Sequence, residues 1–287
     1  MKEKIASIRP RKPGLYAKVA LLGGGGVVIT AVALVALAVW QSGRYNRLAQ
    51  YEVDGLIDAD LDHITLGVYN LVQTENEAVQ QQVDGNLNVA RHVLAKAGGA
   101  NLSEEVVDWA AVNQLTGLSV PVRLPKMLVG GQWLGQNTDP AVETPVVDEV
   151  TRLVGETTTI FQRMNEAGDM LRVATTVPDA EGRRAIGTYI PAIHPDGTPD
   201  PVIAAVLKDE SYCGRAYVVN AWFLTAYEPV KDSKGNLVGM LYAGIRQKTV
   251  ESRLRQAILQ TKVGKTGYVY VLGGKGEDRG HYVISQF

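Results

Sequence analysis

With 287 residues, 46% apolar and 21% charged, the chain has the composition of a folded protein with material for one or two compact domains. A formal net charge of −1 gives no electrostatic footing for nucleic acid. The lone cysteine, Cys213, excludes an internal disulfide framework and leaves the compartment open.

Residues 1–18 carry Lys2, Lys4, Arg9, Arg11, Lys12 and Lys18 against one acid, Glu3. Residues 19–40 then run for 22 positions without a charge, weakened only by Gly23–Gly26 and Thr30, and end on Trp40. At roughly 1.5 Å per residue, such a helix spans the ~30 Å hydrocarbon core of a membrane. The basic excess precedes the span, so the N-terminus is expected in the cytoplasm and the remainder outside. A cleaved signal peptide is the rival reading, but its apolar region is about 7–15 residues long, so an uncleaved anchor is expected.

No proline occurs from Arg44 to Ala97, and Val53, Ile57, Leu61, Ile64, Val68, Leu71, Val79, Val83, Leu87, Ala90 and Leu94 recur mostly every three or four residues. That stripe predicts a helix of roughly 54 residues, about 80 Å long, ended by Gly98-Gly99. It can face a sheet along one part and a second copy of itself along another. Beyond it, residues 109–118 and 119–128 read as strands, the second kept off a central position by Pro121 and Pro125. Residues 145–154 form a short amphipathic helix.

From Gly155 to Tyr189, two β-branched runs flank a turn at Gly168, the signal of a hairpin. Leu171, Val173, Thr175 and Val177 alternate with Met170, Arg172, Ala174 and Thr176. A face with one Arg among small and hydroxyl groups suits a small polar ligand, and it also suits solvent. Residues 188–201, holding Pro191, Pro195, Gly197, Pro199 and Pro201, are expected as a surface loop, and 201–207 as a short helix or turn. Strands follow at 216–219, 222–230 and 237–245, the last two joined by a glycine turn at 231–236. A helix at about 247–262 leads to strands at 268–272 and 281–285. A lone closing hairpin is marginal in water, so it packs on the long helix or belongs to a longer chain; the latter is expected.

A family resemblance rests on Trp109-Ala110-Ala111-Val112-Asn113-Gln114-Leu115-Thr116-Gly117, Leu124-Pro125-Lys126-Met127 and Thr159-Ile160-Phe161-Gln162-Arg163. It continues through Arg172-Val173-Ala174-Thr175-Thr176-Val177, residues 182–187, Leu224-Thr225-Ala226-Tyr227-Glu228-Pro229 and residues 264–271. Over most of 44–287 the chain resembles an extracytoplasmic Cache sensor domain, the fusion of a type-three with a type-two Cache unit. The resemblance implies an α+β fold in which a PAS-like antiparallel sheet follows the membrane span and the long scaffold helix. It divides the chain into a cytoplasmic N-terminus (1–18), transmembrane helix (19–40), long helix (41–98), membrane-distal Cache module (99–246), and linker helix with the beginning of a second module (247–287). It also implies a homodimer in the inner membrane, the input end of a methyl-accepting chemotaxis receptor, with a histidine kinase or diguanylate cyclase as alternative outputs. A membrane-anchored, non-signalling binding protein is the third possibility. No second transmembrane helix, HAMP linker or signalling module falls within these residues.

No catalytic arrangement emerges, and neither a cofactor nor a metal is expected. His63, His92, His194 and His281 are scattered without ligand spacing or a nearby acid partner, and Cys213 has no local base. The ligand-site candidates are Arg172, Thr176, Arg184, Tyr212, Tyr217, Trp222, Thr225 and Tyr227. Phe223, Thr225 and Tyr227 share a strand face; if it meets the Arg172 face, a guanidinium fork, hydroxyls and aromatic walls converge on a small organic acid or amino acid. The alternative is that Arg172 bridges to a strand neighbour and the tyrosines are core.

Overall fold

A run of 82 residues free of proline folds as one uninterrupted helix, α1 (Leu15–Lys96). The computed structural model describes residues 14–276 and 279–286, so the basic segment 1–13 lies outside the described residues. Gly98 and Gly99 take φ of +100° and +69°, and Gly99 N donates to Leu94 O at 2.9 Å, a glycine closure that satisfies late helix carbonyls. Contacts divide the chain at Leu66/Gly67. In the first unit α1 exposes its apolar residues, among them Val27, Ile29, Val32 and Leu34. By length and composition this helix can cross a membrane, with a stretch of mean hydropathy 2.1.

The second unit is organised by a sheet. After α1 come β1 (Ala100–Asn113), β2 (Ser119–Val129), β3 (Gln132–Trp133), α2 (Val147–Val154), β4 (Thr157–Arg163), β5 (Met170–Thr175) and β6 (Thr188–Ile190). Next are α3 (Pro201–Val206), β7 (Tyr212–Val218), β8 (Ala221–Lys231), β9 (Leu237–Arg246) and α4 (Gln247–Gln260). The nine strands lie in the order β3-β2-β1-β6-β5-β4-β9-β8-β7, antiparallel except for β1 with β6. Two small hairpins follow, β10 (Lys262–Val263) with β11 (Gly267–Tyr268), and β12 (Val271–Leu272) with β13 (Tyr282–Ile284).

Each face of the large sheet has its own core. On one, Val79, Val83, Leu87, Ala90 and Leu94 of α1, spaced by three and four, pack with Leu171, Val173, Leu241 and Ala243, joined by Val147 and Val150 of α2. Each such aliphatic side chain contributes about 1.5–3 kcal/mol of burial. Arg91 ties α1 to this face, its Nε donating to both Glu228 carboxylate oxygens at 2.9 and 2.8 Å. On the other face, Val202, Ile203 and Val206 of α3 cover Phe161, Met170, Tyr227 and Tyr242.

The α+β fold is as expected, with differences in extent. β1 starts nine residues before Trp109, because Ala100–Leu102 pair with Met127–Val129 of β2 although Ser103-Glu104-Glu105 read locally as a loop. Thr188–Ile190, expected as loop, is a strand recruited by Val112 and Asn113 of β1. β7 also begins earlier, at Tyr212. The expected strand 268–272 is broken into β11 and β12, and the last hairpin meets α4, where Arg255 Nη2 donates to Val283 O at 2.5 Å. The alternation predicted for β5 fails after Val173. A register shift between Ile160 and Phe161 sets in, Ala174 joins the α1-side core and Val177 the α3-side core.

Gly239 marks where β9 crosses closest to β4: a Cβ there would lie 1.9 Å from the Phe161 carbonyl oxygen. Gly239→Ala must therefore force two central strands apart. A loss of about 1–3 kcal/mol is expected in urea unfolding of the detergent-solubilised chain.

Candidate functional site

At the β7 end of the sheet, on the α3 side, strand register places tyrosines in a row. Tyr212 pairs with Tyr227 and Tyr227 with Tyr242, their ring centroids 6.2 and 5.0 Å apart. Directly opposed side chains on one sheet face must touch, so three rings cross three strands as a continuous wall. In front of it lies a cleft of about 210 Å³, walled by Tyr212, Tyr217, Trp222 and Tyr227 and by the apolar Ile190 and Val202. Its polar groups are Gln114, His194, Asp200 and Arg215. The Arg215 guanidinium stacks on Trp222 at 4.0 Å and its Nε donates to Gln247 Oε1 at 2.6 Å, which holds it at the exposed rim.

Asp200 is fixed from two sides. Its Oδ1 caps α3 by accepting from Val202 N and Ile203 N at 2.9 and 3.0 Å, and Oδ2 lies 2.9 Å from His194 Nε2. The carboxylate is 8% exposed, so its charge is poorly screened. It helps raise the pKa of both Tyr212 and Tyr227, after burial, the largest cause in each case.

Arg172, on β5, is completely buried on the same side of the sheet. Its guanidinium lies 4.8 Å over the Phe161 ring, and Nη1 donates to Thr188 Oγ1. Nε and Nη2 have no hydrogen-bond partner among the described residues. Burial brings its pKa down to about 10, opposed by the Tyr227 and Tyr242 phenols, so it stays cationic at neutral pH. Tyr227 belongs to both environments: it walls the cleft and lies within electrostatic reach of Arg172. A buried cation with two idle donors and no carboxylate beside it is only partly compensated.

The two sequence-predicted faces share the α3 side of the sheet: Tyr212, Tyr217, Trp222 and Tyr227 line the cleft at the β7 end, whereas Arg172, on β5 in the middle of the sheet, does not line it and comes within electrostatic reach of Tyr227. Three other candidates are placed elsewhere. Thr225 is buried and donates to Gly214 O at 2.8 Å. Thr176 Oγ1 lies 2.9 Å from Thr151 Oγ1 and accepts from Thr158 N at 3.0 Å, beside α2. Arg184 forms a fork with Asp148, Nη1–Oδ1 2.9 Å and Nη2–Oδ2 2.8 Å, and donates to the carbonyls of Asp139, Thr175 and Val142 at 3.1, 2.9 and 3.0 Å. Its donors are spent on Asp148, on carbonyls of the 137–148 loop and on Thr175 O of β5, which leaves none for a ligand.

Sequence reasoning missed Gln114, His194, Asp200 and Arg215. Asp200 immediately before Pro201 is a legible helix start, and it would have placed a carboxylate beside the cleft. His194, expected without an acid partner, has Asp200 six residues on. Cys213 is exposed; its thiol meets Asp84 Oδ1 at 3.0 Å, and partial burial together with that carboxylate pushes its pKa up to about 12. Among the described residues, no group of three His, Cys, Asp or Glu side chains could hold a metal ion.

The family model of the Cache 3/Cache 2 fusion domain matches residues 46–286. Among curated proteins, none matches the chain. Among solved structures, the chain is similar to the E. coli DcuS sensor domain, with 17% identity and a TM-score of 0.25 over 38% of this chain and 69% of that one. It is also similar to an IclR-type transcriptional regulator from Alicyclobacillus acidocaldarius, with 12% identity and a TM-score of 0.26 over 39% and 60% of the two chains. At those TM-scores neither likeness carries detail of the site.

Proposed function

The chain belongs to the Cache 3/Cache 2 fusion domain family, and on that premise we propose that it is the ligand-sensing input of a bacterial chemoreceptor that recognises a small carboxylate, an organic acid or an amino acid. One observation carries the carboxylate: Arg172, wholly buried, charged, and left with Nε and Nη2 unpaired. Those two donors point the same way along one edge of the planar guanidinium, the geometry that a carboxylate accepts in bidentate fashion. The neighbouring cleft supplies aromatic walls that exclude water; Tyr227 walls it and Arg172 does not, so a ligand in the cleft reaches the guanidinium only if that ring moves.

The wider reading places the chain in the inner membrane as a single-pass homodimer through α1, with its N-terminus in the cytoplasm. It is supported by the apolar helix near the N-terminus and the charge balance around it. Ligand binding then biases the receptor between two states by its differential affinity for them. No chemistry on the ligand is proposed.

The test is a thermal-shift screen of the detergent-solubilised chain against organic acids, amino acids and amines. A carboxylate that raises Tm in the wild type and leaves Arg172→Lys unmoved supports the site, since an ammonium cannot reproduce the fork. If no anion stabilises the wild type, the carboxylate reading fails.

A further inference from the structure

We infer that the cleft is built for a monocarboxylate and that Asp200 is the residue that rejects dicarboxylates. The inference rests on the carboxylate reading above and narrows its chemistry through groups that reading does not use.

The charges around the cleft decide it. One buried cation, Arg172, is uncompensated and can take one carboxylate. One nearly buried anion, Asp200, lines the cleft in front of Tyr227, the ring that stands within electrostatic reach of Arg172. Its negative field reaches Tyr212 and Tyr227, two of the rings that wall the cleft a ligand would occupy. A second carboxylate on the ligand would enter that field, and like charges brought together at low dielectric are a strong discriminator between partners.

The cationic group that could offset this is Arg215. It is exposed, committed to Gln247 at 2.6 Å, and stacked on Trp222, so solvent and salt screen its charge in a way they do not screen Asp200. His194 answers one oxygen of Asp200, and the α3 amides answer the other. Those bonds hold the carboxylate in place without removing its charge while the imidazole is neutral.

The experiment compares propionate and lactate with succinate and malate on the detergent-solubilised chain, by thermal shift and by calorimetric titration at neutral pH. Propionate or lactate should bind at least about tenfold tighter than succinate or malate. Asp200→Asn should shrink that ratio at least about threefold by improving the dicarboxylates. Asn caps a helix as well as Asp does, so α3 should stay formed, and Asp200→Ser serves as a second capping variant with the charge removed. Equal or tighter binding of succinate to the wild type overturns the inference while leaving Arg172 as the anchor. A preference unchanged in both folded variants also overturns it. If none of the four acids binds and the wider panel of carboxylates also fails, the underlying site reading falls, and this inference with it.

Discussion

Arg172→Met should make the ligand-free protein more stable. Burial lowers the pKa of Arg172 from 12.5 to about 10. At about 1.4 kcal/mol for each tenfold change in the protonation equilibrium, keeping the cation in place at neutral pH costs on the order of 3 kcal/mol. Methionine fills a similar volume with no charge to desolvate. It forfeits the bond to Thr188 and the contact with Phe161, each worth about 1 kcal/mol. The balance favours the variant by about 1 kcal/mol, a rise of about 2–4 °C in Tm for a domain of this size. The same variant should lose every carboxylate-dependent increment in Tm. A fall in Tm of several degrees would mean that Arg172 is an ordinary structural arginine, and its place in the site would go. A residue that destabilises its own fold and is relieved by a ligand trades stability for function.

Arg184→Ala should show the opposite behaviour. Arg184 is 5% exposed and is held by Asp148 and by three carbonyls within 3.1 Å. Truncation strands the Asp148 carboxylate and leaves the carbonyls of Asp139, Val142 and Thr175 without that donor. Breaking a buried pair by removing one partner costs about 3–5 kcal/mol. We expect a loss of that size in urea unfolding, with Arg184→Lys recovering little because a point charge cannot fork. Carboxylate affinity, measured well below the new Tm, should be unchanged. A selective loss of affinity with stability intact would return Arg184 to the ligand site.

These two arginines show what could be read from residues alone. Both stand in polar, β-rich stretches twelve positions apart, and both were reasonable ligand candidates. What separates them is where their donors are spent, and that is settled by Asp148 and the 137–148 loop, which no local pattern links to Arg184. The same holds for Thr225, whose hydroxyl is taken by Gly214 O. The long helix, the β4–β5 hairpin and the β8–β9 turn were legible because periodicity, Gly168 and Gly235 encode them locally. The first half of β1 and all of β6 were not, because partner strands decide them. The family resemblance, carried by quoted stretches spread over the chain, agrees with the match over residues 46–286.

Tyr227 and Glu228 are consecutive residues of β8, one facing the aromatic wall and the other gripping Arg91 of α1. Inserting or deleting one residue upstream within β8 would exchange them, thrusting a carboxylate among the rings and a phenol against a guanidinium. A length change within β8 is therefore costly, whereas the 232–236 turn bonds chiefly within itself through Asp232 and Asn236, with Ser233 N reaching Asn101 Oδ1 at 3.2 Å, and can absorb one more readily. Diversification of this domain has to proceed by substitution around the cleft and by insertion at the turns.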